Sequence, residues 1–304
     1  PRARDSLRQT VAPMSFKRLA HGPFSRLRAP LALALVLTGC AAPRSPSAPL
    51  APLVALTILA TTDFHGALEQ VDSERDTKRP LGGAAALAAT IRRERESDAD
   101  AVILLDAGDI YQGTALSNLT RGRAAIEFMN AVGYDAAALG NHEFDWGVPT
   151  LLERMQEARF PLLVANVRER DTGRAPEWAR PYVILERGGL RVAVLGLITP
   201  DTPSVTLPAN VAAYEFLEPA GVANEFIPAL VPAQADLVVV LCHIGGRMES
   251  DGRLSGDVVE LSRAIQGEAA VVGGHTHQVV HGEVEGVPIV EAGSSGRQLG
   301  SIEL

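Results

Sequence analysis

Two cysteines in 304 residues leave no material for a disulfide framework. Cys40 follows an apolar run near the start, while Cys242 sits inside a second apolar stretch, where a lone thiol reads as a core residue. Aromatic residues make up 5% of the chain, and Phe64, Phe144 and Trp146 fall inside polar motifs, so no paired aromatic platform for stacking a base stands out. Positive charge is also in deficit. Lys and Arg number 28 against 36 Asp and Glu, a net charge of −8, and removing residues 1–40 makes the remainder more acidic still, so no nucleic-acid polymer is expected as a partner. No internal repeat or low-complexity core segment is present, and no protein partner is indicated. What the chain does have is 46% hydrophobic residues, enough to bury a sizeable core in one large domain or two modest ones.

The first residue is Pro1 rather than Met, and Met14 reads as a start because basic residues and an apolar run follow it. Residues 17–28 are basic, and Leu31-Ala32-Leu33-Ala34-Leu35-Val36-Leu37 is too short to span a bilayer but suits the apolar region of a signal peptide. Leu37-Thr38-Gly39-Cys40 resembles the bacterial lipobox. That resemblance implies a signal peptide over 1–40, lipid on Cys40 as membrane anchor, and a cell-envelope address, with Ala41 favouring the outer membrane. Residues 41–52, rich in Pro, Ser and Ala, read as a tether, and 53–304 as the folded domain.

Within that domain the polar residues are not scattered. Gly140-Asn141-His142-Glu143-Phe144-Asp145 packs an amide, an imidazole and two carboxylates directly after the short apolar run 135–139. The run 56–60 leads into Asp63-Phe64-His65-Gly66, and 102–105 into Asp106-Ala107-Gly108-Asp109. The run 237–241 leads into Cys242-His243, and 269–272 into Gly273-Gly274-His275-Thr276-His277. Of the seven histidines, six lie at or near such run ends and only His21 is remote. A single histidine of this kind is ordinarily a hydrogen-bonded core residue; five strand ends together are not explained that way. Open α/β sheets carry their chemistry at the C-terminal ends of their strands. Asp, His and Asn ligands without cysteine suit Mn²⁺, Zn²⁺ or Fe²⁺. Seven such residues exceed one ion's needs, and two ions roughly 3.5–4 Å apart that share a carboxylate clamp a phosphoryl oxygen and activate water.

The residues between these motifs read as alternating strands and helices, with helices over 84–95, 124–132 and 149–158. Hairpin-like strands follow from Pro181 (182–186, then 190–197), with more strand-like segments after His277 and a Pro/Thr-rich loop near the site over 201–210. The pattern predicts an α/β fold of two mixed sheets packed face to face with helices outside.

In order and spacing, Asp63-x-His65, Gly108-Asp109, Gly140-Asn141-His142-Glu143, His243 and Gly274-His275-Thr276-His277 resemble the five motifs of the calcineurin-like metallophosphoesterases. Asn141-His142-Glu143-Phe144-Asp145 and Glu291-Ala292-Gly293-x-x-Gly296 are similar to the bacterial 5′-nucleotidase and UDP-sugar hydrolase group within it. The resemblance covers about residues 54–304 and implies a four-layer αββα sandwich. It further implies one divalent ion on Asp63, His65, Asp109 and His277 and another on Asp109, Asn141, His243 and His275, with Asp109 bridging. His142 would be the catalytic histidine, oriented by Asp145, while Asp106 and Glu143 are expected as supporting acids and His281 as a surface residue near the mouth. The implied activity is hydrolysis of a phosphate monoester, with a nucleotide or related phosphoester as substrate. Cyclic-nucleotide phosphodiesterase, sugar-nucleotide hydrolase and thiosulfohydrolase activities are alternatives on the same scaffold. A binding-only surface lipoprotein is a third reading, which loss of ligands would mark. Full-length members of the group continue into a second domain, so a substrate domain beyond Leu304 is expected to be absent or cut off.

Overall fold

The computed structural model describes residues 55–70, 81–96, 99–231, 233–265 and 269–304. The expected signal peptide, Cys40 and the tether over 41–52 lie outside these. Among the described residues no helix is long and apolar enough to cross a membrane.

Two sheets carry the fold. The first has five strands in the order Gly300–Glu303, Thr57–Thr61, Val102–Asp106, Ala136–Ala138, Leu162–Leu163, antiparallel in its first pair and parallel in the rest. The second has six, in the order Val279–Val284, Val287–Ala292, Ala269–Gly273, Leu237–His243, Leu190–Ile198, Tyr182–Arg187, antiparallel at both edges and parallel in the middle. Parallel strands buried on both faces are continuous apolar runs rather than alternating ones, and VILLD, VVV and AAVV are such runs.

Period-two alternation divides those runs among three cores. Ile58, Ala60, Ile103, Leu105, Ala136 and Ala138 from the first sheet meet Val192, Val194, Val239, Leu241, Ala270 and Val272 from the second. Their in-between neighbours Leu59, Leu104 and Ala137 point the other way, onto helices Ala84–Arg95, Arg123–Val132 and Gly147–Glu157. On the far side of the second sheet, Ala193, Leu195, Val238, Val240 and Val271 pack under Pro219–Leu230 and Asp257–Ala264. The layers are therefore helix, sheet, sheet, helix, as the sequence predicts.

Helix Ala84–Arg95 matches its predicted bounds, buries Leu87 and Ile91, and ends in Arg92, Arg93 and Arg95, where cations complement the helix dipole. Arg95 also donates from Nη1 to Val132 O and from Nη2 to Gly133 O, both at 2.7 Å, which satisfies two orphan carbonyls at the end of Arg123–Val132. Sequence reading differs from the structure at 201–210. That segment is not a plain loop but two helical turns, Thr202–Val205 and Pro208–Val211, the second begun by a proline whose fixed φ suits a helix start.

Candidate active site

Five of the parallel strands, three in the first sheet and two in the second, each end at a polar turn, and the turns converge. Thr61 ends one strand before Asp63 and His65, Asp106 ends the next before Asp109, and Ala138 the next before Asn141 and His142. From the second sheet, His243 is the last residue of its strand, and Gly273 ends another before His275 and His277.

Two groups of ligand-type atoms result, Asp63 with His65 and His277, and Asp109 with His243 and His275. In the first, His277 Nε2 lies 3.3 Å from Asp63 Oδ1 and 2.9 Å from His65 Nε2. Asp63 Oδ2 accepts from the His275 backbone N–H at 2.9 Å, whereas its Oδ1 is buried with no hydrogen-bond partner. His65 Nδ1–H donates to Gln112 O at 2.6 Å, which leaves its Nε2 a lone pair aimed at the group. In the second group His243 donates from Nδ1 to Ala107 O at 2.8 Å. Its Nε2 then faces Asp109 Oδ2 at 3.1 Å, Asn141 Oδ1 at 3.2 Å and His275 Nδ1 at 3.2 Å. The Asn141 amide is oriented by Nδ2, which donates to Val205 O at 3.2 Å. Carboxylate, amide and imidazole ligand atoms thus converge, and a buried carboxylate oxygen among them has no hydrogen-bond partner. Such a donor set fits two divalent cations.

Electrostatics agree. Burial alone would lower the His243 value, but the Asp109 carboxylate overrides it and raises it to about 10. Burial likewise works to raise Asp109, and the His243 imidazole reverses this and holds the carboxyl well below its ordinary range. His277 is raised by the Asp63 carboxylate 3.3 Å away, while burial lowers His65 and His275.

Backbone strain marks the same residues. Among the described residues eight other than glycine have positive φ, and five of them are Asp63, His65, Asp109, His275 and His277, at 50°, 51°, 54°, 83° and 56°. Such conformations cost about 1–3 kcal/mol each and persist where the surroundings dictate them. Asp and His enter this region more readily than most residue types, but the sequence does not say which of them do.

His142 stands beside the groups, its Nε2 4.0 Å from Asp109 Oδ2, and its Nδ1–H donates to Asp145 Oδ2 at 2.6 Å. Burial pulls its value down, but the Asp145 hydrogen bond together with the charges of Asp109, Asp145 and Glu143 outweighs this, so it ends raised. Thr206 Oγ1 donates to Asp145 Oδ1 at 2.8 Å, and Asn210 Nδ2 to the carbonyls of Phe144 and Asp145, both at 2.9 Å. The segment read only as a loop therefore braces the histidine's partner, and Thr206 and Asn210 had no sequence signal beyond their place in it.

Both expected supporting acids are buried. Glu143 is buried and accepts from the backbone N–H of Asp109, Ile110 and Gly140 at 2.9, 2.8 and 2.6 Å; burial pushes its carboxyl up to about 7. Asp106 accepts from Thr61 Oγ1 at 2.6 Å and Gly108 N–H at 3.0 Å, and burial pushes it up to about 8. His281 is half-buried on the edge strand Val279–Val284 and joins neither ligand group. Cys242 is buried, as expected of a core thiol.

The sequence profile of the calcineurin-like phosphoesterases matches residues 56–279, which takes in every one of these ligand positions. The chain belongs to that family. The chain is 36% identical over 231 residues to the snake venom 5′-nucleotidase of Gloydius brevicauda, covering 74% of this chain and 37% of that protein. It is 31% identical over 260 residues to the 5′-nucleotidase of Vibrio cholerae (84% and 46%), and 34% identical over 230 residues to Protein UshA of Escherichia coli (74% and 41%). The chain thus spans less than half the length of these curated relatives. Among solved structures it resembles a 5′-nucleotidase precursor from Thermus thermophilus, with TM-score 0.70 and 33% identity over 82% of this chain and 51% of that one. It also resembles the calcineurin-like phosphoesterase YfkN of Bacillus subtilis, with TM-score 0.70 and 29% identity over 83% and 85%.

Proposed function

We propose that this protein is a dinuclear metal-dependent hydrolase of phosphate monoesters, with nucleotides as the substrate class. The observation that carries the reading is the pair of convergent ligand groups with the His142–Asp145 couple beside them. Asp63, His65 and His277 would hold one divalent cation, and Asp109, Asn141, His243 and His275 the other, with Asp109, which the structure groups with the second set, proposed to bridge to the first. Two such cations supply Lewis acidity toward a phosphoryl oxygen and a nucleophile at neutral pH. Asp145 fixes the tautomer of His142 so that Nε2 faces the groups, and its charge favours the imidazolium, which stabilises negative charge developing on the phosphoryl group. The relatives named 5′-nucleotidase support the nucleotide as substrate. We further infer from 1–40 that the protein is lipid-anchored through Cys40 in the cell envelope; unchanged membrane fractionation of Cys40→Ser would contradict that.

Phosphate release from AMP and from an aryl phosphate by the purified chain, before and after exhaustive chelation and after Mn²⁺ is returned, tests the enzymatic reading. Loss on chelation and recovery with Mn²⁺ is the expected result. Turnover that survives chelation would overturn it.

A further inference from the structure

The ligands His243, His275 and His277 are delivered by turns of the second sheet, and those turns meet at one buried side chain that is not itself a ligand. Glu291, on strand Val287–Ala292, is 1% exposed. Its Oε2 accepts from the Gly246 backbone N–H at 3.0 Å, three residues past His243. Its Oε1 accepts from Thr276 Oγ1 at 2.6 Å and the Gln278 N–H at 3.3 Å, donors that flank His277 on either side. One carboxylate therefore ties the turn after His243 to the turn bearing His275 and His277.

The turns are packed so closely that glycine is needed to let them touch. A Cβ on Gly245 would lie 2.5 Å from Gly274 O and 2.5 Å from Thr276 Oγ1. The Thr276 hydroxyl also lies 2.9 Å from Gly246 O, so it sits between the two turns with Glu291 as the alternative acceptor. In the first sheet Glu143 does the corresponding work with three backbone N–H groups from the Asp109 and Asn141 turns. Each sheet thus has a buried glutamate that ties two of its ligand turns together. His275 and His277 have φ of 83° and 56°, so their turn needs an external tie to stay in that conformation.

We propose that Glu291 is a positioning residue: it sets cation affinity through the two ligand turns of the second sheet without touching substrate or cation. The inference rests on the reading of the two ligand groups as metal sites. Outer partners that orient metal ligands are worth about 10–100-fold in affinity. Glu291→Ala removes all three acceptor contacts. Glu291→Gln keeps one acceptor oxygen for Thr276 and Gln278 but turns an NH₂ toward the Gly246 N–H, so its loss is the smaller one. Thr276→Val deletes the hydroxyl bridge at nearly constant volume, and Thr276→Ser restores it.

Mn²⁺ affinity of the chelated chain, measured by isothermal titration, tests this, with circular dichroism to confirm folding. We expect the Mn²⁺ dissociation constant to rise about 10–100-fold in Glu291→Ala and less in Glu291→Gln. Thr276→Val should weaken binding about tenfold and Thr276→Ser should return to within about threefold of the parent. Excess Mn²⁺ should restore much of the phosphatase kcat in Glu291→Gln. A folded Glu291→Ala or Thr276→Val chain with the parent's affinity would overturn the role of Glu291 while leaving the metal reading intact. A parent chain that binds no Mn²⁺ would overturn both. If Glu291→Ala does not fold, the Thr276 pair decides.

Discussion

Gly140→Ala separates steric from conformational cost at the site. The residue has φ −101° and ψ −177°, extended backbone that alanine adopts freely. Space is what forbids it. A Cβ there would lie 2.5 Å from Asp109 N and 2.9 Å from Asp109 Cγ, and would also press on Asp109 Oδ1. These atoms cannot withdraw cheaply, because the Asp109 N–H donates to Glu143 Oε2 and Asp109 Oδ1 accepts from the His142 N–H, both at 2.9 Å. Overpacking of this kind costs about 1–3 kcal/mol. For a domain near 250 residues that lowers the melting temperature by roughly 2–12 °C. The same methyl displaces the carboxylate proposed to serve both cations, so metal content should fall too. Gly221→Ala is the control: it lies in helix Pro219–Leu230 with nothing within 4 Å of its Cβ, and should gain about 0.5 kcal/mol. Differential scanning calorimetry and metal analysis of both variants read the outcome. A Gly140→Ala protein that melts with the parent and keeps its metal would refute the packing argument.

Three further outcomes follow from the site. Asp109→Ala should lose metal at both ligand groups, whereas His142→Ala should keep its metal and lose mainly kcat; equal metal loss in both contradicts the roles. Asp145→Asn should lower the His142 value, since the hydrogen bond and charge of Asp145 are among the influences that hold it up against burial. Losing the charge from that hydrogen bond is worth about 1.4 kcal/mol, so kcat at neutral pH should fall about tenfold, and the limb that declines with rising pH should move to lower pH. A kcat–pH profile at saturating Mn²⁺ with an unmoved limb refutes this. Asp106, pushed up to about 8 by burial, keeps its proton in the folded chain over a range where the unfolded chain releases it. Folding therefore loses about 1.4 kcal/mol per pH unit as pH rises from the ordinary carboxyl range toward 8. In chelated protein, Asp106→Asn should flatten that decline in urea unfolding; a variant with the parent's slope contradicts the assignment.

The site was legible because its ligands follow apolar runs, and a run that ends in Asp, His or Asn reports both a strand and what stands at its C-terminal end. Helix Ala84–Arg95 was equally clear, with Leu87 and Ile91 one turn apart and a charged far face. Other parts gave no such signal. Helix Pro219–Leu230 contains Pro228, which reads as a breaker, and it is held by Val222, Ala223, Ile227 and Leu230 packing on the second sheet. The turns at 202–205 and 208–211 are too short for a periodic pattern, and their work, bracing Asp145 and Asn141, depends on contacts 61 and 64 residues away in sequence. Glu291 appeared only as part of a motif, because a carboxylate that accepts three donors from two distant turns looks, in one dimension, like any acidic residue. Positive φ at five ligand positions is a tertiary fact imposed by the converging turns.

Anomalous diffraction from crystals of the chain grown with Mn²⁺ tests the central claim most directly. Two Mn²⁺ peaks are predicted, one within bonding reach of Asp63, His65 and His277 and one of Asp109, Asn141, His243 and His275, with Asp109 contacting both. A single peak, or peaks away from these side chains, would contradict the dinuclear site on which the function rests.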